Sequence, residues 1–342
     1  MENLKNAAYL KKIKHGGFRS LVKRALDLGI DVELISAENK ITRFMNENTS
    51  FFIRGKNVPA YRRMGEMTKN KVVTKLVLES FGIQTPKGFE ALSLTEAKQL
   101  IKENNLIYPI ILKPSAGTRG LGVTWNIHTD DDLEKAIAYF KYSIKQHPIL
   151  ASKSKTFLVE EMFQGHEYRV LVLDGKVISC VEKIPASVVG DGKSDLRKLI
   201  RLFNQTRLPG FTIHIDKTVK ETLSKNHLSL KSILPKKSIL RLRNNLNMSD
   251  GGRSIDVTGK LHPKLKKICI KATESIGLTY GGVDLMADDI LDPKTRYVIL
   301  EINSNPYYNM NEKPLVEGKG VDISWLFLKK MFPSLKKSSH NI

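Results

Sequence analysis

The segment Val298-Ile-Leu-Glu301-Ile-Asn303-Ser-Asn-Pro306 holds the residues best suited to chemistry. An apolar stretch of this kind reads as a strand. Side chains two apart in a strand point the same way, so Glu301 and Asn303 share a face. Seventeen positions before Glu301, Gly281-Gly-Val-Asp284-Leu-Met reads as a second short strand with another carboxylate. Two acids and an amide on adjacent strands form an oxygen-rich set of the kind that holds Mg²⁺ against substrate phosphates. Far upstream, Ile111-Leu-Lys113-Pro-Ser115-Ala-Gly117-Thr-Arg-Gly120-Leu-Gly122 is a strand running into a glycine-rich turn. Glycines without a Cβ let backbone N–H groups close around phosphate oxygens, and Lys113 adds a point charge at the mouth. Taken alone, these glycines are equally well explained by a tight structural turn. A phosphate binder first and metal carboxylates last is the order expected of an ATP-dependent enzyme.

Between the two lies Val159-Glu160-Glu161-Met162-Phe163-Gln-Gly165-His-Glu167-Tyr-Arg169. An apolar strand ending in a short hinge can offer main-chain N–H and C=O groups to a base. Glu167 is then placed to accept hydrogen bonds from ribose hydroxyls. In isolation the same residues read as an ordinary strand with acidic edges; their position between a phosphate loop and a metal set reverses that preference. Two lookalikes fail. Gly192-Lys193-Ser194 resembles the end of a P-loop, but the first glycine is replaced by Ser187. His166-Glu167 begins like a zinc-protease motif, yet Val170 stands where the second histidine belongs.

The elements that must position these residues follow from apolar spacing and turn chemistry. Phe18–Leu28 has helical spacing that Gly29 can end, and Val32–Ile35 is a strand. Helices are expected over Lys69–Phe81, Leu94–Asn104 and Asp130–Tyr142, the last with acids in its first turn. Strands are expected at Pro109–Lys113, Phe157–Glu161, Tyr168–Leu173 and Lys176–Val181, with Asp174-Gly175 as a hairpin turn. Leu196–Asn204 and Leu261–Ile276 are helices, followed by the two metal-site strands. This is an α+β architecture with an antiparallel sheet toward the C-terminus. The expected domains are 1–65, 66–155 and 156–334, with a basic tail over 335–342.

Composition sets the class. The chain has 342 residues, 41% of them apolar, which suits two or three folded domains. Its apolar runs are far shorter than a membrane span, and the N-terminus lacks the apolar core of a secretory signal. Cys180 and Cys269 have no metal-like spacing and read as reduced thiols, so the cytoplasm is the expected location. The net charge of +21 comes from lysines scattered along the chain. A solvated surface is the plain explanation; steering of ATP and acidic substrates comes second and nucleic-acid binding last.

The order of these motifs resembles the ATP-grasp superfamily, in particular the ligase domains of cyanophycin synthetase and of bifunctional glutamate–cysteine ligase/glutathione synthetase. The resemblance rests on Lys71 in Asn70-Lys71-Val-Val-Thr-Lys75, Lys113 with its glycine turn, Glu160-Glu161, Gly165-x-Glu167-x-Arg169, Asp284 and Glu301-x-Asn303. Val188–Ser194 and Leu242-Arg243-x3-Asn247-x-Ser249-x-Gly251-Gly252-x3-Asp256-Val-Thr resemble segments of the same subgroup, and the likeness covers roughly 66–312. It implies an ATP-grasp fold, a small N-terminal α/β domain followed by two α+β subdomains clasping ATP. It also implies a ligase that joins a carboxylate to an amine through an acyl phosphate, acting on amino acids or small peptides. Lys71, Lys113, Ser115, Gly117, Gly120 and Gly122 would hold ATP phosphates. Glu160, Glu161, Met162 and Phe163 would meet the base, and Glu167 the ribose. Asp284, Glu301 and Asn303 would ligate one or two Mg²⁺, for which Mn²⁺ can substitute. Arg243 would stabilise the acyl phosphate, and Arg169 would hold a substrate carboxylate or the γ-phosphate. Asn247, Ser249 and Gly251 would contact substrate. A homodimer fits this reading, and no membrane or nucleic-acid partner is expected. Two rival readings stand beside it: a ligase that modifies a peptide or protein, and a nucleotide- or nucleic-acid-binding protein without turnover. Tyr307-Tyr308-Asn309 departs from the glycine-containing turn of the relatives, which bears on substrate more than on ATP.

Overall fold

The computed structural model describes residues 4–5, 13, 22–23, 25–26, 29–38, 40–45, 50–54, 64–116, 120–147, 155–207, 210–313 and 316–331. The chain divides into two compact units. The first takes Met1–Gly165, Leu171–Val177 and His262–Pro306; the second takes His166–Val170, Ile178–Leu261 and Tyr307–Ile342.

The first unit opens with an antiparallel sheet in the order β1 (Leu4–Lys5), β2 (Asp31–Ser36), β3 (Ile41–Met45) and β4 (Ser50–Arg54). Val32, Leu34, Phe44 and Ile53 bury one face against Val22 and Ala25. The helix expected over Phe18–Leu28 lies largely outside the described residues; Val22, Lys23, Ala25 and Leu26 are helical. A 3₁₀ turn, Met64–Lys69, then leads into α1 (Lys71–Ser80). The Asn70 side chain accepts a hydrogen bond from Val73 N at 3.1 Å, which fixes the helix start one residue past Asn70.

The second sheet has the order β5 (Gly88–Ala91), β8 (Phe157–Glu161), β6 (Ile110–Pro114) and β7 (Thr124–Ile127), all antiparallel. Two helices bury their apolar stripes in the same core. They are α2 (Leu94–Glu103), capped by Ser93, and α3 (Asp130–Gln146), capped by Thr129. Leu112, Ile127, Leu133, Phe140, Phe157 and Val159 form its centre. This sheet carries Lys113 at the end of β6 and Glu160 at the end of β8.

Next come β9 (His166–Leu173) and β10 (Lys176–Ile184), joined at Asp174-Gly175. Both turn residues have left-handed φ, +47° and +69°, as a two-residue hairpin requires. In the second unit, β11 (Ser187–Val189) pairs with β12 (Ile239–Arg241), and α4 (Leu196–Gln205) and α5 (Lys217–Lys225) pack beside that ribbon. Its core holds Leu196, Ile200, Val219, Leu223 and Leu242. Strand β13 (Arg253–Asp256) pairs antiparallel with β10.

Back in the first unit, α6 (Pro263–Ser275) precedes the hairpin of β14 (Tyr280–Ala287) and β15 (Tyr297–Asn303). The second unit closes with α7 (Asn309–Glu312) and α8 (Ile323–Met331). Cys180 and Cys269 are both buried. No described helix is long and apolar enough to cross a membrane. The basic tail falls outside the described residues.

Candidate active site

The hairpin of β14 and β15 brings the three oxygen donors together. Asp284 stands directly opposite Glu301, and Gly282 opposite Asn303. Opposed residues in an antiparallel pair project to the same side, so Asp284, Glu301 and Asn303 share one face. Gly282 has no side chain to crowd it. The register shifts just after Asp284, leaving Leu300 as the extra residue of a bulge that re-aims the two acids. The Asn303 amide donates to Glu301 Oε1 at 3.0 Å and reaches Asp284 Oδ2 at 3.4 Å. Lys71, the first residue of α1, sets its ammonium 3.3 Å from Glu301 Oε2. The chain thus gathers two carboxylates, an amide and a cation within one unit.

Among the described residues no group of three or more His, Cys, Asp or Glu side chains could hold a metal ion. The donor set here has two acids; the Asn303 amide turns its nitrogen toward them, and would supply the third oxygen once rotated about its terminal bond. That composition suits a hard divalent cation such as Mg²⁺, which keeps waters or substrate oxygens in its remaining positions.

Lys113 and Glu160 meet at the edge of the second sheet. Lys113 Nζ is 2.5 Å from Glu160 Oε2, and Lys75 Nζ approaches Glu160 Oε1 at 3.5 Å. Glu160 is 3% exposed, so these two ammonium groups replace the water its carboxylate gives up on burial. Lys75 also donates to the Pro86 carbonyl. Sequence reasoning gave Lys75 no role; its place four residues after Lys71 puts it on the same side of α1 and is the signal that was there to read. Ser115 is buried, shares its hydroxyl with Thr156 Oγ1 at 2.6 Å, and accepts from Lys71 N at 2.9 Å. That last bond ties the start of α1 to the mouth of the glycine turn. Gly120 and Gly122 both have φ of +70°. Gly117 lies outside the described residues, as do Thr118 and Arg119.

After β8 the chain bends at Met162–Gly165. The Glu161 N–H donates to Lys87 O at 2.8 Å and the Met162 N–H to Pro109 O at 3.1 Å. Both are therefore engaged within the fold, while the Phe163 ring lies beneath the Arg296 guanidinium, 5.5 Å away. Arg296 is in turn held by Asp288 at 2.8 Å. A Cβ at Gly165 would meet Ala287 O at 2.8 Å and the Phe163 ring at 2.9 Å, so the bend closes tightly on the end of β14.

The remaining candidates belong to the second unit. Glu167 is paired with Lys183, and His166 Nδ1 lies 2.7 Å from Glu182. Lys183 was not foreseen: a two-residue turn at Asp174-Gly175 in regular register pairs Glu167 with Glu182, so the turn alone does not announce the contact with Lys183. Arg169 is buried, and its carbonyl lies 3.4 Å from the Asn311 amide nitrogen. Arg243 is also buried and donates to Asp216 Oδ2 at 2.6 Å and His214 O at 3.1 Å, while its Nε has no partner. Asp216 caps α5. Burial pushes its carboxyl up, but the hydrogen bonds from Arg243 and Val219 outweigh this and hold it below the ordinary carboxylate value. Asn247 reaches Asp250 at 3.2 Å, Ser249 sits in the 3₁₀ turn Met248–Asp250, and Gly251 follows with φ of +90°. A Cβ at Gly251 would come within 2.3 Å of Ile213, so space and backbone both demand glycine there.

Comparisons with known proteins divide the chain along these same motifs. Residues 106–176 match the family model described as ATP-grasp domain, and residues 241–326 match RimK-like ATP-grasp domain. The chain is 32% identical to cyanophycin synthetase of Synechocystis sp. over 79% of its own length and 31% of that protein. It is 29% identical to the glutathione biosynthesis bifunctional protein GshAB of Streptococcus agalactiae, over 90% of its length and 41% of that protein. It thus spans less than half of these relatives. The crystal structure of a bifunctional glutathione synthetase from Pasteurella multocida superposes with a TM-score of 0.58 at 26% identity, covering 93% of this chain and 44% of that one.

Proposed function

This chain belongs to the ATP-grasp proteins, and from that premise we propose that it is an ATP-dependent ligase joining a carboxylate to an amine through an acyl phosphate. The substrates in this reading are amino acids or small peptides, as the names of the relatives suggest. The observation that carries it is the shared face of Asp284, Glu301 and Asn303 with Lys71 beside it. Those three donors would hold Mg²⁺, which when bound neutralises phosphate oxygens as a phosphoryl group transfers.

The protein's own residues then have separable tasks. Lys71 and Lys113 draw the phosphates in by charge, Lys113 being held in place by Glu160. The engaged N–H groups of Glu161 and Met162 leave base recognition to the Phe163 N–H and the carbonyls of this stretch. Glu167, oriented by Lys183, accepts from ribose hydroxyls. Arg243 and Arg169 supply positive charge for the acyl phosphate and the tetrahedral oxyanion that the amine produces, where fixed donors act most strongly. A lid built on the segment that carries Gly117, Gly120 and Gly122 would exclude water, which otherwise competes with the amine. Asn247, Ser249 and Gly251 shape the substrate side.

ADP release with Mg²⁺-ATP, measured across a matrix of amino acids and small peptides with mass spectrometry of each positive well, tests the proposal. A carboxylate–amine pair giving stoichiometric ADP and an amide is expected; ATP binding with no amide from any pair would overturn a small-molecule ligase. A second expectation concerns Lys113→Ala. Loss of a charge-assisted hydrogen bond of about 1.5–3 kcal/mol should weaken ATP binding roughly 10- to 100-fold. Titration calorimetry on the folded variant measures it, and unchanged affinity would remove Lys113 from the phosphate site.

A further inference from the structure

Helix α4 in the second unit presents Arg197 and Arg201 to solvent, one turn apart on the same side. Neither serves the helix. Like charges at this spacing repel, and Arg197 stands in the first turn, where the helix dipole opposes a cation. Asp195, two positions before Arg197, instead caps α4 by accepting from Lys198 N at 2.7 Å. Among the described residues no carboxylate forms an ion pair with either arginine. The surrounding segment repeats the imbalance: Ser187 to Arg241 holds twelve Lys and Arg against four Asp and Glu. All four acids are engaged. Asp191 accepts from the N–H groups of Lys193 and Ser194, Asp195 and Asp216 cap helices, and Glu221 pairs with Lys217.

The two arginines line an open cavity of about 530 Å³, a size typical of small-molecule sites. None of its lining residues belongs to the candidate active site. Its second wall is Ile213-His214-Ile215, with His214 exposed and Ile215 half-buried. That wall is fixed in advance, because the Asn204 amide donates to Ile213 O at 3.0 Å and accepts from Ile213 N at 2.8 Å. The groove is also graded along its length. Arg197, Arg201 and His214 supply positive charge and N–H donors at one end, a set that suits a phosphate dianion. Gln205 lines the other end, about 6 Å further along the helix from Arg201. Its exposed amide can both donate and accept, as the edge of a nucleobase requires, and Ile215 offers an apolar surface to the ring. The same wall holds Arg243, which donates to His214 O at 3.1 Å and Asp216 Oδ2 at 2.6 Å.

We propose that this groove is an effector site for a nucleoside monophosphate, sensed by Arg243 through the backbone at His214. The effect on turnover rests on the ligase reading; the binding does not.

The test is calorimetric titration of the full chain with GMP and UMP, chosen because AMP would also enter the ATP site. Ribose 5-phosphate, inorganic phosphate and the two nucleosides serve as controls. At least one nucleotide should bind about tenfold or more tightly than ribose 5-phosphate and than its own nucleoside. Arg201→Gln should weaken that binding about tenfold or more while leaving ATP affinity and the melting temperature unchanged. Gln205→Ala should close the gap to ribose 5-phosphate without changing the affinity for ribose 5-phosphate itself. Bound nucleotide should shift amide formation by about twofold or more, in parent protein and not in Arg201→Gln. No nucleotide binding, binding that survives Arg201→Gln, or inorganic phosphate binding as tightly as the nucleotide would overturn the site. Confirmed binding with unchanged turnover would overturn its role as an effector site. A silent ligase assay with intact, Arg201-dependent nucleotide binding would sink the ligase reading alone.

Discussion

Glu301→Ala is expected to lower ADP release by at least about 100-fold while the protein stays folded. The magnitude follows from the place of Glu301 in the donor set. Loss of a residue that only supports a metal ligand typically reduces affinity or activity by about 10- to 100-fold, so loss of a ligand should do no less. The fold should survive because the Glu301 and Lys71 side chains are 31% and 19% exposed, which lets water screen the ammonium left behind. Exposed or partly exposed pairs of this kind contribute about 1 kcal/mol or less. Glu301→Gln separates charge from shape: it keeps an oxygen at the same reach but removes the negative charge a cation needs. Both variants should melt close to the parent, and the Mg²⁺ concentration for half-maximal activity should rise most clearly in Glu301→Gln, where residual turnover remains measurable. A folded Glu301→Ala variant with full activity would remove these residues from the reaction.

Much of this site was legible because its determinants are local. Glu301 and Asn303 sit two apart in a strand, and alternation alone puts them on one face. Asp284 could be placed on the neighbouring strand because the two apolar runs flank a polar turn rich in Asp, Lys and Pro. The hairpin at Asp174-Gly175 was announced by its turn residues. Less visible were elements whose apolar content is thin. Helix α5 buries only Val219 and Leu223, one pair at helical spacing, within a lysine-rich surface. The β11–β12 ribbon joins segments about fifty residues apart, and no local pattern announces such a pairing. The same holds for partners: Lys113 was visible as a cation, but its contact with Glu160 depends on the register of β6 against β8. The groove beside Arg197 and Arg201 is equally hidden, since its second wall is set by the bonds of Asn204 to Ile213.

Glu160→Ala should be the most destabilising of the substitutions considered, lowering unfolding free energy by about 3–5 kcal/mol. Glu160 is the shared counter-ion of Lys113 and Lys75, whose side chains are each only 11% exposed. Removing the carboxylate therefore leaves two ammonium groups close together in a site with little water, and their repulsion adds to the lost pairing. This contrasts with Glu301, where solvent reaches both partners. Lys75 keeps Glu79 at 3.6 Å and the Pro86 carbonyl, so it should be the less disturbed of the two. Lys113, at the end of β6, has Glu160 as its ion-pair partner, and without it the ammonium should leave its position below the glycine turn. Stability and nucleotide affinity should then fall together in Glu160→Ala. In the double variant Lys75→Met with Glu160→Gln, which removes one positive and one negative charge, stability should recover because a single cation remains beside a neutral acceptor. Urea midpoints with calorimetric ATP titrations distinguish these cases. A Glu160→Ala midpoint equivalent to within about 0.5 kcal/mol of the parent would show that the lysines find water or other partners at no loss, and the account of Lys113 as a side chain held in place by Glu160 would fail.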